Sequence, residues 1–94
     1  MDEKEQFIID WLEKHHHHYV DVLDSDFMYS FAERFQCEII YMAVGAPKVP
    51  LASKTLGSMY KKRILIRFPV GLNQAERGFP KWVYSYMRNP ATIA

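Results

Sequence analysis

Between residues 53 and 61 the chain carries two lysines, Lys54 and Lys61, and three hydroxyls, Ser53, Thr55 and Ser58. Ammonium groups bind phosphates as point charges, and hydroxyls both donate and accept. Such a set suits an anionic, hydrogen-bonding surface such as a polynucleotide backbone or a base edge. Lys48, Lys62, Arg67, Arg77 and Lys81 extend the same chemistry on either side. Two other clusters compete for attention. In EKHHHHYV, His15 and His18 stand at i, i+3 and can share a metal on a helix, but consecutive histidines splay around the axis. A closed site would then need carboxylates such as Glu13 or Asp21, so the run is read as a helix end. Protonated histidines are mildly favourable there, against the negative end of the dipole. Cys37, the single cysteine, lies beside an apolar run and is read as a small buried hydrophobe. The sequence contains no glycine-rich phosphate loop, cysteine pair or nucleophile elbow, so neither catalysis nor a cofactor is expected.

The bases are not spread evenly. Residues 1–47 hold ten acids against three bases, a net −7, and residues 48–94 hold nine bases against one acid, Glu76, a net +8. The near-neutral total of +1 conceals this split. It fits a polyanion-binding half carried on an acidic scaffold, or else a dipolar protein whose halves pair with each other. If six to eight of the bases touch phosphates, log affinity falls against log salt with a slope of about −5 to −7.

At 94 residues the chain is long enough for one core. Its 49% hydrophobic content is that of a packed globule. No apolar run approaches the roughly 18 residues that a membrane span requires. The acidic start MDEKEQ is unlike a secretory leader, and one cysteine permits no internal disulfide. A reducing, cytoplasmic setting is the expectation.

Three helices must carry these groups. Asp2 and Glu5 have capping-box spacing ahead of the stripe Phe7, Ile8, Trp11, Leu12, which predicts a helix over 3–16. His18–Leu23 alternates loosely, as a short strand or an extended connector. Ser25 is the expected N-cap of a second helix over 26–36, with Phe27, Met28, Phe31, Ala32 and Phe35 as its stripe. CEIIYMAV then has strand composition. Pro50 suits the first position of a third helix over 50–62. At 100° per residue, Ala52, Leu56, Met59 and Tyr60 share its inward side, while Lys54, Ser58, Lys61 and Lys62 gather opposite. Gly57, in mid-helix, costs about 1 kcal/mol relative to Ala and marks a close backbone approach, from helix 1 or 2 or from DNA, with internal packing slightly favoured. RILIRF and KWVYSYM alternate as the strands of a hairpin over 63–88, joined by the polar stretch GLNQAERGFP.

In its order of elements, with LASKTLGSMYKK leading into RILIRF and a returning KWVYSYM, the chain resembles a winged helix-turn-helix domain. The likeness is strongest from Pro50 to Met87. It implies an α+β fold of three helices plus a C-terminal β-hairpin wing. It also implies that the third helix and the wing read double-stranded DNA, often as a homodimer. Under it Lys48, Ser53, Lys54, Thr55, Ser58, Lys61, Lys62, Arg67, Arg77 and Lys81 contact the nucleic acid. The phrases GAPKVP, SMYKK and FPKWVYSY resemble small uncharacterised bacteriophage and prophage proteins, which implies a phage or prophage origin and a bacterial host cell but supplies no activity. A transcription regulator, a replication accessory and a host inhibitor are all compatible. The segment Cys37–Val49 stands where the motif has a short turn. Winged helices also serve as docking modules for proteins, and Tyr19, Tyr29, Tyr41 and Tyr86 are candidate surface anchors for that use.

Overall fold

The computed structural model describes residues 1–14, 18–42, 45–72 and 81–92. Helix α1 (Glu3–Lys14) starts where a reciprocal pair closes its first turn. The Glu5 amide donates to Asp2 Oδ1 at 2.8 Å and the Asp2 amide donates to Glu5 Oε1 at 3.1 Å, so Asp does the work usually given to Ser or Thr. Ile8, Ile9 and Leu12 are buried on its inner face. The expected last turn, with His15 to His17, falls outside the described residues. His18 has φ 55°, and its Nδ1–H donates to the Leu12 carbonyl at 3.0 Å, satisfying an acceptor the helix leaves open.

Strand β1 (Tyr19–Asp21) follows, and then α2 (Ser25–Phe35). The N-cap of α2 is Asp24, not Ser25. Asp24 is extended at φ −71°, ψ 99°, and its carboxylate accepts from the Phe27 amide at 3.0 Å. A charged acceptor at the positive end of the dipole outcompetes a hydroxyl one residue later, so Ser25 becomes the first helical residue. Gln36 ends the helix in the left-handed region. Between α2 and the third helix lies a miniature antiparallel hairpin, β2 (Ile40–Tyr41) with β3 (Pro47–Lys48). Gly45 permits its turn with φ 82°, donating to the Met42 carbonyl at 2.8 Å.

Helix α3 (Pro50–Lys61) leads into β4 (Leu65–Gly71), which pairs antiparallel with β5 (Trp82–Arg88) from Leu65 opposite Arg88 to Gly71 opposite Trp82. β1 adds to the other edge of β5, with Tyr19 opposite Met87 and Asp21 opposite Ser85, giving the order β1-β5-β4. A short 3₁₀ turn, Pro90–Thr92, closes the described chain. The fold is thus α+β, three helices against a small antiparallel sheet. No helix among the described residues is long and apolar enough to cross a membrane.

One core joins the layers. Phe27, Phe31, Ile8, Met28, Leu56, Met59, Leu65, Val20 and Val49 are each inaccessible or nearly so. Fully burying a side chain of this size contributes about 1.5–3 kcal/mol. Val20, Leu65 and Tyr86 form the helix-facing side of the sheet; Tyr86 is buried and is no surface anchor. Tyr19, Tyr29 and Tyr41 are exposed, and the Tyr29 and Tyr41 hydroxyls meet at 3.5 Å. On the outer side of the sheet Tyr19 and Phe68 pair edge to face at 6.4 Å, beside half-buried Ile66, Val70 and Met87.

Candidate nucleic-acid interface

Helix α3 presents two different sides. Ala52, Leu56 and Met59 are inaccessible within the core. Lys54, Ser58 and Lys61 are exposed together on the outer side. Gly57 sits beside them, and a Cβ built there meets no atom within 4 Å. The expected close approach of a neighbouring helix is therefore absent: this glycine faces open space.

The helix ends in a Schellman arrangement. The Ile64 amide donates to the Met59 carbonyl at 2.9 Å and the Arg63 amide to Tyr60 at 3.0 Å. The left-handed position, which glycine occupies at least cost, is held by Arg63 at φ 64°. Asn89 fixes this turn from β5, its Nδ2 donating to the Arg63 carbonyl at 2.9 Å. Tyr60, Lys61, Arg63, Leu65, Ile66 and Asn89 enclose a cleft of about 310 Å³ with two exposed cations at its rim.

Not every group expected on this surface is on it. Ser53 Oγ is buried, with no hydrogen-bond partner among the described residues, because its position on the helix turns toward the protein rather than outward. The Thr55 hydroxyl donates back to the Leu51 carbonyl at 2.7 Å. Lys62 is tied to Glu5 across α1 at 3.0 Å, so its charge is already matched. The Asp2 backbone N–H and then the Lys62 ammonium hold the Glu5 carboxyl below its ordinary value, against the opposing effect of burial. Asp2, in turn, is held low by the Glu5 amide. These two acids share a smaller cleft, about 220 Å³, with Lys54, Ser58 and Lys62.

Tyr60 was expected to face the core. It leans outward instead, 38% exposed, because the hairpin offers it a cation: Arg67 Cζ lies 3.9 Å from the Tyr60 ring centroid and 4.0 Å from that of Tyr84. Arg67 is therefore held between two rings rather than projecting freely. Burial of the guanidinium works against its charge, but the Tyr86 hydroxyl and the Tyr84 and Tyr60 rings more than offset this, and the net shift is upward. Lys48 is exposed on the β2–β3 hairpin, and Lys81 is exposed at the foot of β5. Arg77 lies outside the described residues.

Arg63 and Tyr60 belong to this surface but escape a reading based on helical periodicity. Arg63 falls in a turn, and Tyr60 swings away from the stripe its spacing assigns. The charge asymmetry survives in three dimensions. Residues 45–72 and 81–92 contain eight lysines and arginines and no aspartate or glutamate. Two of the eight are matched from α1, Lys62 by Glu5 and Arg88 by Glu13. Comparison with protein-family models, with curated proteins and with solved structures finds no match to this chain.

Proposed function

We propose that this chain binds duplex DNA in the manner of a winged helix-turn-helix domain, with α3 and the β4–β5 hairpin against the nucleic acid, as a transcription regulator would. The observation that carries this reading is the outer side of α3. Lys54, Ser58 and Lys61 are exposed around a glycine facing open space, next to Arg63, in a stretch of chain whose described residues contain no acidic side chain, with Asp2 and Glu5 at the edge of the Lys54–Ser58 cleft. A helix of α3's length spans roughly 18 Å, and the major groove is about 12 Å wide, enough to admit it. Lysines then meet phosphates or guanine edges, and Ser58 bonds the backbone or a base.

The test is an anisotropy titration on generic duplex DNA over a range of salt. Among the described residues Lys54, Lys61, Arg63 and Lys81 are the cations without an ion pair along α3 and the hairpin foot, so the expected slope is about −4. It is shallower than the count from sequence because Lys62 is paired with Glu5 and Arg67 is held between two rings. Lys54→Ala with Lys61→Ala should reduce the slope by about 2. A wild-type slope near zero would overturn the proposal. A second reading, a protein-docking module, draws on the outer sheet face, where Tyr19 is 44% and Phe68 39% exposed. A flat salt response would favour it.

A further inference from the structure

The helix-facing side of the sheet continues past the core. Arg67, Tyr84 and Trp82 follow Leu65 and Tyr86 on that same side, and Tyr60 reaches over from α3. The four groups form a continuous ladder. The Trp82 and Tyr84 rings are 4.9 Å apart at 77°, and the Arg67 guanidinium is inserted between Tyr84 and Tyr60. Burial falls along the ladder, from Tyr84, half-buried, to Trp82, 50% exposed. An exposed indole on a hairpin costs solubility and contributes little to the core.

We propose that this ladder is a stacking surface for unpaired nucleobases, so that the protein engages duplex DNA next to a single-stranded segment. The proposal rests on the duplex reading for its location and adds the class of substrate. Three features support nucleobases over an apolar peptide. Every nucleobase offers a flat π-face to an exposed indole, whatever the sequence. The guanidinium within the ladder adds a positive charge beside the stack, complementary to the phosphates linking the bases. The ladder is also continuous with α3 through Tyr60, whose neighbour Lys61 lies on the proposed duplex face, and three exposed bases, Lys61, Arg63 and Lys81, stand next to its ends in the chain.

The test uses three probes on the full chain: a blunt duplex, the same duplex with a six-thymidine overhang, and the same duplex with an overhang of six abasic nucleotides. The two overhangs carry equal charge and differ only in their bases. The thymidine overhang should bind about tenfold tighter than the abasic one, within the range for stacking on one aromatic. Trp82→Ala should erase that difference and leave blunt-duplex affinity unchanged, while Trp82→Phe should restore most of it. Should Trp82→Ala misfold, a Trp11→Phe variant leaves Trp82 as the sole indole, and its fluorescence should be quenched by the thymidine overhang and not by the abasic one. Equal affinity for the two overhangs, or equal quenching, would overturn the ladder proposal. Absence of wild-type binding to the blunt duplex would instead overturn the duplex reading.

Discussion

One position in α3 and one in the turn that ends it hold a residue that local stability would not choose. Gly57 occupies mid-helix, where Ala is better by about 1 kcal/mol, and no neighbour needs the space. Arg63 occupies a left-handed turn where Gly would remove a strain of about 1 kcal/mol. Both lie on the surface proposed for DNA. Gly57→Ala and Arg63→Gly should therefore each raise the thermal midpoint, by roughly 1 kcal/mol of stability, and each should weaken DNA binding. Calorimetry alongside the anisotropy titration checks both signs; a variant that gains stability with affinity unchanged would free its position from the interface. At Gly57 the periodic reading foresaw a close approach and assigned it to a neighbouring helix. The spacing of one helix says where a side chain points but not what lies beyond it.

At the scale of elements, capping decides where helices begin, and one helix is tied to another. Asp24 rather than Ser25 carries the α2 cap, so Asp24→Ala should cost about 1 kcal/mol and Ser25→Ala only a few tenths, measured by urea denaturation. The tie runs from α1 to α3 through Glu5 and Lys62. Glu5 has a depressed carboxyl pKa in the fold, so its stabilisation is present above its ordinary value of 4.5 and is lost as pH falls from there through the depressed value. Glu5→Gln keeps capping-box geometry while removing the charge. It should cost less than about 1 kcal/mol at neutral pH, since Lys62 is largely solvated, and should flatten the stability curve on the acid side of pH 4.5. A variant with an unaltered acid limb would show that the pair has no energetic role.

For the whole molecule, hydrophobic stripes and turn residues made the three helices and the β4–β5 hairpin legible, because 3.6- and 2-residue periods leave a direct trace. Pro50 at the first turn of α3 is one such trace. The sequence was less informative where distant segments decide. Tyr60 has the spacing of a core residue, yet Arg67 across the chain draws its ring outward. Lys62 reads as a free cation until α1 brings Glu5 to it. Ser53 and Lys54 are neighbours in sequence, and only the packing of α3 shows that one hydroxyl is buried while the ammonium beside it is not. Among the described residues the acidic and basic halves are thus matched at two contacts, Glu5 with Lys62 and Glu13 with Arg88, and exposed cations without an ion pair remain along α3 and at the hairpin foot.

The pairing of β1 has a consequence for how the chain comes to be folded. β1 lies between α1 and α2 in sequence, yet among the described residues it pairs with β5, with Tyr19 opposite Met87. On a ribosome the N-terminal two helices and the strand between them emerge first, at roughly 5–20 residues per second. The polar edge of β1 must wait several seconds for its ladder. Until residues 85–87 have emerged β1 has no ladder, and Val20 lacks the cover that Tyr86 gives it. By then most of the basic half has already joined the acidic one, and β5, made after β4, is the strand that closes the sheet over both.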